Sequence, residues 1–244
     1  MRKGLFCGLL CMFLVSGCVT KSERTTSVQG RLQLGLAYLA RGDYVAAQRN
    51  LQRAVAAAPE DYRTQLGMAR LHQAMGDQQA AQRGYRKALQ LAPLNGFVVN
   101  NYGAFLCSLG QYDAAQQQFR LAGNLPQPGA RADSFDNAGY CYLNARKVTL
   151  ARQSLALAIT ADPQKGMPML AEAGRRFGKG ERAQAQLLLD VYQHSQPASA
   201  ESLWLEIRFA ALDERTDDVN RLGMQLARNF PQSIQYQHFL ANEY

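Results

Sequence analysis

Gly42-Asp43-Tyr44-Val45-Ala46-Ala47-Gln48-Arg49-Asn50-Leu51-Gln52-Arg53-Ala54 decides the fold, because its skeleton returns twice further along the chain. Gly76-Asp77-Gln78 and Gly110-Gln111-Tyr112 follow Gly42-Asp43-Tyr44 at intervals of 34 residues. Ala47, Ala81 and Ala115 keep that interval, as do Leu51, Tyr85 and Phe119, and Ala54, Ala88 and Ala122. Pro59 and Pro93 close the first two units at the same spacing. A fixed period of this length is the mark of stacked structural units, none of which buries its apolar face alone. Each recurrent residue has a physical task. Glycine frees a turn between two helices, where a positive φ is needed. The small alanine in the second helix lets two backbones approach, and the large residue four positions later fills the space beside it. Proline ends that helix because it cannot extend the hydrogen-bond ladder. Position 8 of the first helix is small in Gly35, Ala69, Gly103, Gly139 and Ala173, which again permits close packing.

This is the tetratricopeptide pattern of helix A, turn, helix B, and it continues with drift. A fourth unit starts near Ala132 and runs through Gly139, Tyr142, Ala151, Leu155, Ala158 and Pro163; its two-residue displacement is absorbed by Pro126-Gln127-Pro128-Gly129. A fifth runs from Gly166 through Gly180, Ala185, Leu189 and Tyr192. The sixth is degenerate: Leu203-Trp204-Leu205 opens it, Glu214 takes the turn, Gly223 replaces the large packing residue and Pro231 ends it. The fold class that follows is all-α, a right-handed α-solenoid of about six tetratricopeptide repeats plus a C-terminal capping helix. It would have thirteen helices and no strand, with a repeat domain over 28–244, units starting near 28, 62, 96, 132, 166 and 200, and a terminal helix at 233–244.

The first residues read differently. Met1-Arg2-Lys3 is basic, Leu5 to Val15 is uncharged and mostly apolar, and Ser16-Gly17 precede Cys18. That is a secretory signal peptide over 1–17, too short in its apolar run to span a membrane. Val15-Ser16-Gly17-Cys18 resembles the lipobox of bacterial lipoproteins, in which the cysteine receives a diacylglycerol thioether and becomes the first residue. A covalent lipid on Cys18 is therefore expected, with no other cofactor, and several acyl chains would hold the protein firmly. Val19 in place of Asp favours the outer membrane over the inner one, by resemblance to the lipoprotein sorting rule. Residues 18–27 then form the acylated cysteine and a polar tether, placing the body in the periplasm a few tens of ångströms from the lipid.

The 244-residue chain carries a net charge of +8, which becomes +6 once Arg2 and Lys3 leave with the signal. The basic residues are scattered, so no nucleic-acid partner is expected. Cys107 and Cys141 remain in the body at A-helix positions 12 and 10, and buried thiols rather than a disulfide are the reading there. No catalytic constellation is present. His72, His194 and His238 lie in different units without a second ligand at helical spacing. Gly174 to Gly180 is one residue short of a phosphate loop, lacks the following Ser or Thr, and reads as an inter-helix turn. Asp217-Asp218 fit a helix first turn, where acids compensate the dipole. The chain is read as a binding protein and not an enzyme, and as a monomer.

In this fold the concave face is lined by helix A positions 2, 5, 6, 9, 12 and 13. Those positions hold Leu32, Leu36 and Leu39 in the first unit, and Asn100, Asn101, Ala104, Asp136, Asn137, Tyr140 and Asn144 in the third and fourth. Leucines beside amides suit an extended peptide or an amphipathic helix, because amides pair with both backbone donors and acceptors. Packing roles compete with this reading: the leucines could meet the chain's own tether, and Asn at position 6 recurs for structural reasons. Phe97, Met167, Leu170 and Phe177 lie on the same face.

Lipobox, short tether and six such units resemble the PilF/PilW family of type IV pilus biogenesis lipoproteins. The resemblance rests on Arg31-Leu32-Gln33-Leu34-Gly35-Leu36-Ala37-Tyr38-Leu39, on Asn100-Asn101-Tyr102-Gly103-Ala104-Phe105-Leu106-Cys107, and on Leu203-Trp204-Leu205-Glu206-Ile207-Arg208 with Tyr236-Gln237-His238-Phe239. It implies a pilotin: an outer-membrane lipoprotein that binds the type IV pilus secretin, with its first units in contact, and promotes the secretin's localisation and multimer assembly. The alternative is a periplasmic scaffold that stabilises the pilus itself or serves another envelope assembly machine.

Overall fold

The computed structural model describes residues 21–244, with side chains from Ser27 onward, so Cys18 and the signal peptide lie outside the described residues. These residues form thirteen α-helices and one 3-10 turn, and no strand among them. The A helices are α1 (Lys21–Ala40), α3 (Tyr62–Ala74), α5 (Gly96–Ser108), α7 (Ala130–Asn144), α9 (Gly166–Gly178) and α11 (Ala200–Leu212). The B helices are α2 (Tyr44–Ala57), α4 (Gln78–Leu91), α6 (Tyr112–Gly123), α8 (Val148–Ala161), α10 (Arg182–Ser195) and α12 (Thr216–Asn229), and α13 (Ile234–Leu240) follows. This is the all-α tetratricopeptide fold. The backbone forms one compact unit ending at Gly84 and a second from Tyr85 to Tyr244.

Local chemistry sets the helix ends. Gly42, Gly76, Gly110 and Gly180 adopt φ between +73° and +79° at the A-to-B turns. Arg146 and Glu214 occupy the equivalent turns of units four and six at φ +59° and +58°, where a side chain is disfavoured. Behind the glycine, Asp43 accepts a hydrogen bond from the Ala46 amide at 3.0 Å, and Asp77 from the Ala80 amide at 2.9 Å, so each caps a B helix. The amphipathic faces then meet through matched large and small residues sixteen apart. A methyl added to Gly35 would lie 2.6 Å from Leu51 Cγ, one on Gly103 2.8 Å from the Phe119 ring, and one on Gly139 2.5 Å from Leu155 Cγ.

In the first unit Leu32, Ala47, Leu51, Ala54 and Leu71 form the core, and Gly67 of α3 receives the Leu32 and Leu51 methyls. The polar tether expected up to residue 27 is instead helical from Lys21, so its reach is that of a helix at about 1.5 Å per residue.

In the second unit the core runs from Phe105 and Phe119 through Leu155, Met169, Leu188 and Tyr192 to Ile207 and Leu226. The connector into α7 is tied back to α5: the Gln127 side chain accepts from the Gly96 amide at 2.8 Å and donates to the Leu94 carbonyl at 3.1 Å. Helix α7 consequently begins at Ala130, two residues before the expected start, and Cys107 and Cys141 fall at the same position of neighbouring A helices. They form a disulfide with Cα atoms 5.9 Å apart, which corrects the expectation of free thiols. In the sixth unit the size pairing is reversed. Ile207 is large and Gly223 is small, and the Phe239 ring of α13 occupies the space a side chain at 223 would need.

Candidate protein-binding faces

The residues expected to line a groove do not all face outward. In the first unit Leu32 is only 7% exposed and belongs to the core, which corrects its placement on the groove. Leu36 and Leu39 are half-buried and pack against that core with one side, so each keeps some surface for a partner.

In the second unit Asn100 is 4% exposed, and its Oδ1 is buried without a hydrogen-bond partner among the described residues. Its amide is therefore not a surface contact but a buried polar atom left unsatisfied, which is costly. Asn101 is half-buried and donates to the Phe97 carbonyl of its own helix at 2.7 Å, so its Nδ2 is engaged internally. Ala104 is half-buried on the same helix.

Helix α7 carries the better-formed face. Asp136, Asn137 and Tyr140 are all half-buried there. Asp133, one turn before Asp136 and Asn137, is ion-paired with Lys165 from the 3-10 turn Pro163–Lys165. Burial pushes the Asp136 carboxyl up to about 6; Lys165 opposes the rise and Asp133 adds to it. Asp136 makes no hydrogen bond among the described residues, so its charge is desolvated without a full compensating partner. Burial, with Asp136 and Glu172 nearby, also raises the Tyr140 phenol. From α9, Glu172 reaches Arg175 at 2.6 Å and Arg176 at 2.7 Å, and Arg176 also reaches Glu181 at 3.2 Å. Burial would raise the Glu172 carboxyl, but the two guanidinium groups outweigh it and hold the group low. The face thus has a half-buried acid, an amide and a phenol, bordered by charges already neutralised. It suits a donor-rich or cationic group from another chain. Lys165, Glu172 and Arg176 carry much of this electrostatics, and their only trace in the sequence is a scatter of charges just before, in the middle and in the last turn of one A helix.

His194, His238 and Asp218 are locally engaged. His194 Nδ1 lies 2.6 Å from the carbonyl of Asp190, His238 pairs with Glu243, and Asp218 pairs with Arg215 and Arg221. Gly180 is a turn residue, but Gly174 to Gly178 are the last residues of α9, so the turn expected over the whole stretch is confined to its end. Among the described residues no three His, Cys, Asp or Glu side chains are grouped to hold a metal ion, and no helix is long and apolar enough to cross a membrane.

Models of the tetratricopeptide repeat match residues 38–84 and 85–117. The chain is similar to the type IV pilus assembly protein PilF of Pseudomonas aeruginosa, at 29% identity over 94% of each chain. An uncharacterized protein of Haemophilus influenzae is 35% identical over 59% of this chain and 82% of its own. Among solved structures, Pseudomonas aeruginosa PilF superposes with a TM-score of 0.60 over 90% of this chain and 99% of its own, at 29% identity. PilW, a widely conserved type IV pilus biogenesis factor, gives 0.58 over 87% and 98%, at 25% identity.

Proposed function

Because the chain belongs to the tetratricopeptide-repeat family of type IV pilus biogenesis proteins that includes PilF and PilW, a family of protein-interaction modules rather than enzymes, we propose that it is a pilotin. In this reading Cys18 is acylated, the body stands in the periplasm at the outer membrane, and the A-helix faces hold a segment of the pilus secretin while the ring assembles. The observation that carries the proposal is the likeness to PilF, which extends over 94% of both chains. The half-buried Asp136, Asn137 and Tyr140 on α7 are the contacts proposed for that segment, and Leu36 and Leu39 of the first unit form a separate candidate face.

The test is the state of the secretin in outer-membrane fractions of a strain deleted for the gene. Loss of the SDS-resistant multimer, restored by the wild-type chain but not by Asn137→Arg at equal expression, supports both the function and the α7 contact. Restoration by Asn137→Arg would keep the function and remove α7 from it. An unchanged multimer in the deletion strain would overturn the secretin reading in favour of a later step, on the pilus itself or on another envelope machine.

A further inference from the structure

Charge is shared unevenly along the chain. Residues 27–84 hold seven arginines and no lysine against four acids, Asp43, Glu60, Asp61 and Asp77. All four acids lie in turns and connectors, so the helices of this stretch carry arginine alone. Asp43 and Asp77 are engaged as helix caps, and Asp61 is paired with Arg63. Helix α2 shows the result most clearly. It buries Ala46, Ala47, Asn50, Leu51 and Ala54. Its opposite stripe, Val45, Gln48, Arg49, Gln52, Arg53 and Ala56, surrounds a shallow hollow of about 470 Å³. Arg49 and Arg53 are exposed, and neither has a carboxylate partner among the described residues. Val45, at one end of the stripe, is 77% exposed.

The repeat does not itself require these cations. Counted from the small alanine of the B helix, units three and four place Gln117 and Leu121, then Gln153 and Leu157, where the first unit has Arg49 and Arg53. What sets the first unit apart is its place in the chain. Helix α2 runs back along α1: the Arg31 guanidinium donates to Asn50 Oδ1 at 3.1 Å, and Gly35 faces Leu51. Arg53 is consequently level with the third turn of α1, about 15 Å along the hairpin from Lys21. Cys18 stands three residues before Lys21, at most about 10 Å of extended chain. A lipid on that cysteine would hold the α1–α2 hairpin at the headgroups, within reach of both arginines.

We propose that the outer face of α2 docks on an anionic phospholipid surface, with Arg49 and Arg53 on headgroup phosphates and Val45 set between the headgroups. A guanidinium matches a phosphate with two parallel hydrogen bonds. A helix that carries basic and apolar residues on one face lies in the plane of the interface. Each basic residue near an anionic surface is worth roughly a fivefold gain in partitioning. Because α1 packs against the buried side of α2, a body docked this way keeps Leu36 and Leu39 on the side away from the lipid. The proposal takes its setting from acylation of Cys18, and it is tested without that lipid.

The experiment is co-sedimentation of the mature chain carrying Cys18→Ala with vesicles of phosphatidylcholine, or of equal parts phosphatidylcholine and phosphatidylglycerol. Binding is expected to the anionic vesicles only. It should be released as ionic strength rises from about 0.1 to about 1 M, where the Debye length shortens from about 10 to about 3 Å. Arg49→Gln combined with Arg53→Gln should bind at least about tenfold more weakly, with an unchanged Tm. Arg120→Gln combined with Arg228→Gln removes the same charge from exposed positions of the second unit, and should stay within about twofold of the parent chain. Equal losses in the two pairs, equal binding to both kinds of vesicle, or no binding would overturn the proposal. Capture of polyglutamate through Arg49 and Arg53, without vesicle binding, would give the face to an acidic protein and equally overturn it. Palmitate incorporation at Cys18 in cells is a separate readout, so failure of the anchor and failure of the α2 contact are told apart.

Discussion

Burial, more than residue type, separates Leu32 from Leu34 two positions away on the same helix. Leu32 is 7% exposed and packs against Gly67, whereas Leu34 is 44% exposed. Leu32→Ala should therefore cost roughly 2–5 kcal/mol in urea unfolding, and Leu34→Ala less than about 0.5 kcal/mol; equal effects would mean that α1 is rolled differently about its axis. Asp136 makes a second prediction at this scale. Folding raises its pKa from 3.8 to about 6, so the folded chain favours the protonated acid. The unfolded chain releases that proton at lower pH, so stability falls as pH rises from about 4 to 6 and remains lower above. Asp136→Asn should flatten that part of the profile of Tm against pH and raise stability at pH 7.5, by roughly 1–2 kcal/mol after allowance for partial exposure. No change in the profile would show that the carboxyl is better solvated than its burial implies. Neither the inward aim of Leu32 nor the buried state of Asn100 was legible in the sequence. Both depend on the rotation of a helix about its own axis, which packing fixes and periodicity leaves free.

Among elements, helix ends were the most legible, because their signals are local: Gly42 and Gly110 at turns with positive φ, Asp43 and Asp77 as caps. Pairings between helices were not. Cys107 and Cys141 are bonded one repeat apart, because α7 begins at Ala130 and not at the expected 132, which brings both to the same position of their helices. That disulfide joins two A helices across a separation of 34 residues. Loop-closure entropy alone assigns it about 3–4 kcal/mol. Replacing both cysteines by serine should lower the denaturation free energy by that order, with helicity at 25 °C largely kept. A negligible loss would mean that packing between α5 and α7 already holds the pair without the bond.

For the whole molecule, the repeat period was enough for the fold class, since a spacing of 34 kept through Ala47, Ala81 and Ala115 has few other physical origins. The division at Gly84 was invisible, because the period runs through it without interruption. The proposed anchorage at Cys18 is also tested on the entire chain. Cys18→Ala should yield a body with unchanged helical circular dichroism that leaves the membrane pellet and no longer incorporates palmitate. A variant that stays with the outer membrane would mean that protein contacts, not the lipid, hold it there. The far end of the array has its own significance. In the sixth unit Gly223 gives up the large side chain that earlier units place there, and Phe239 of the following helix fills the vacancy. A stack of like units could otherwise continue, chain onto chain, by lending its last open face to the first helix of a second copy. Here the Phe239 ring, from the same polypeptide, already covers the part of that face beside Gly223.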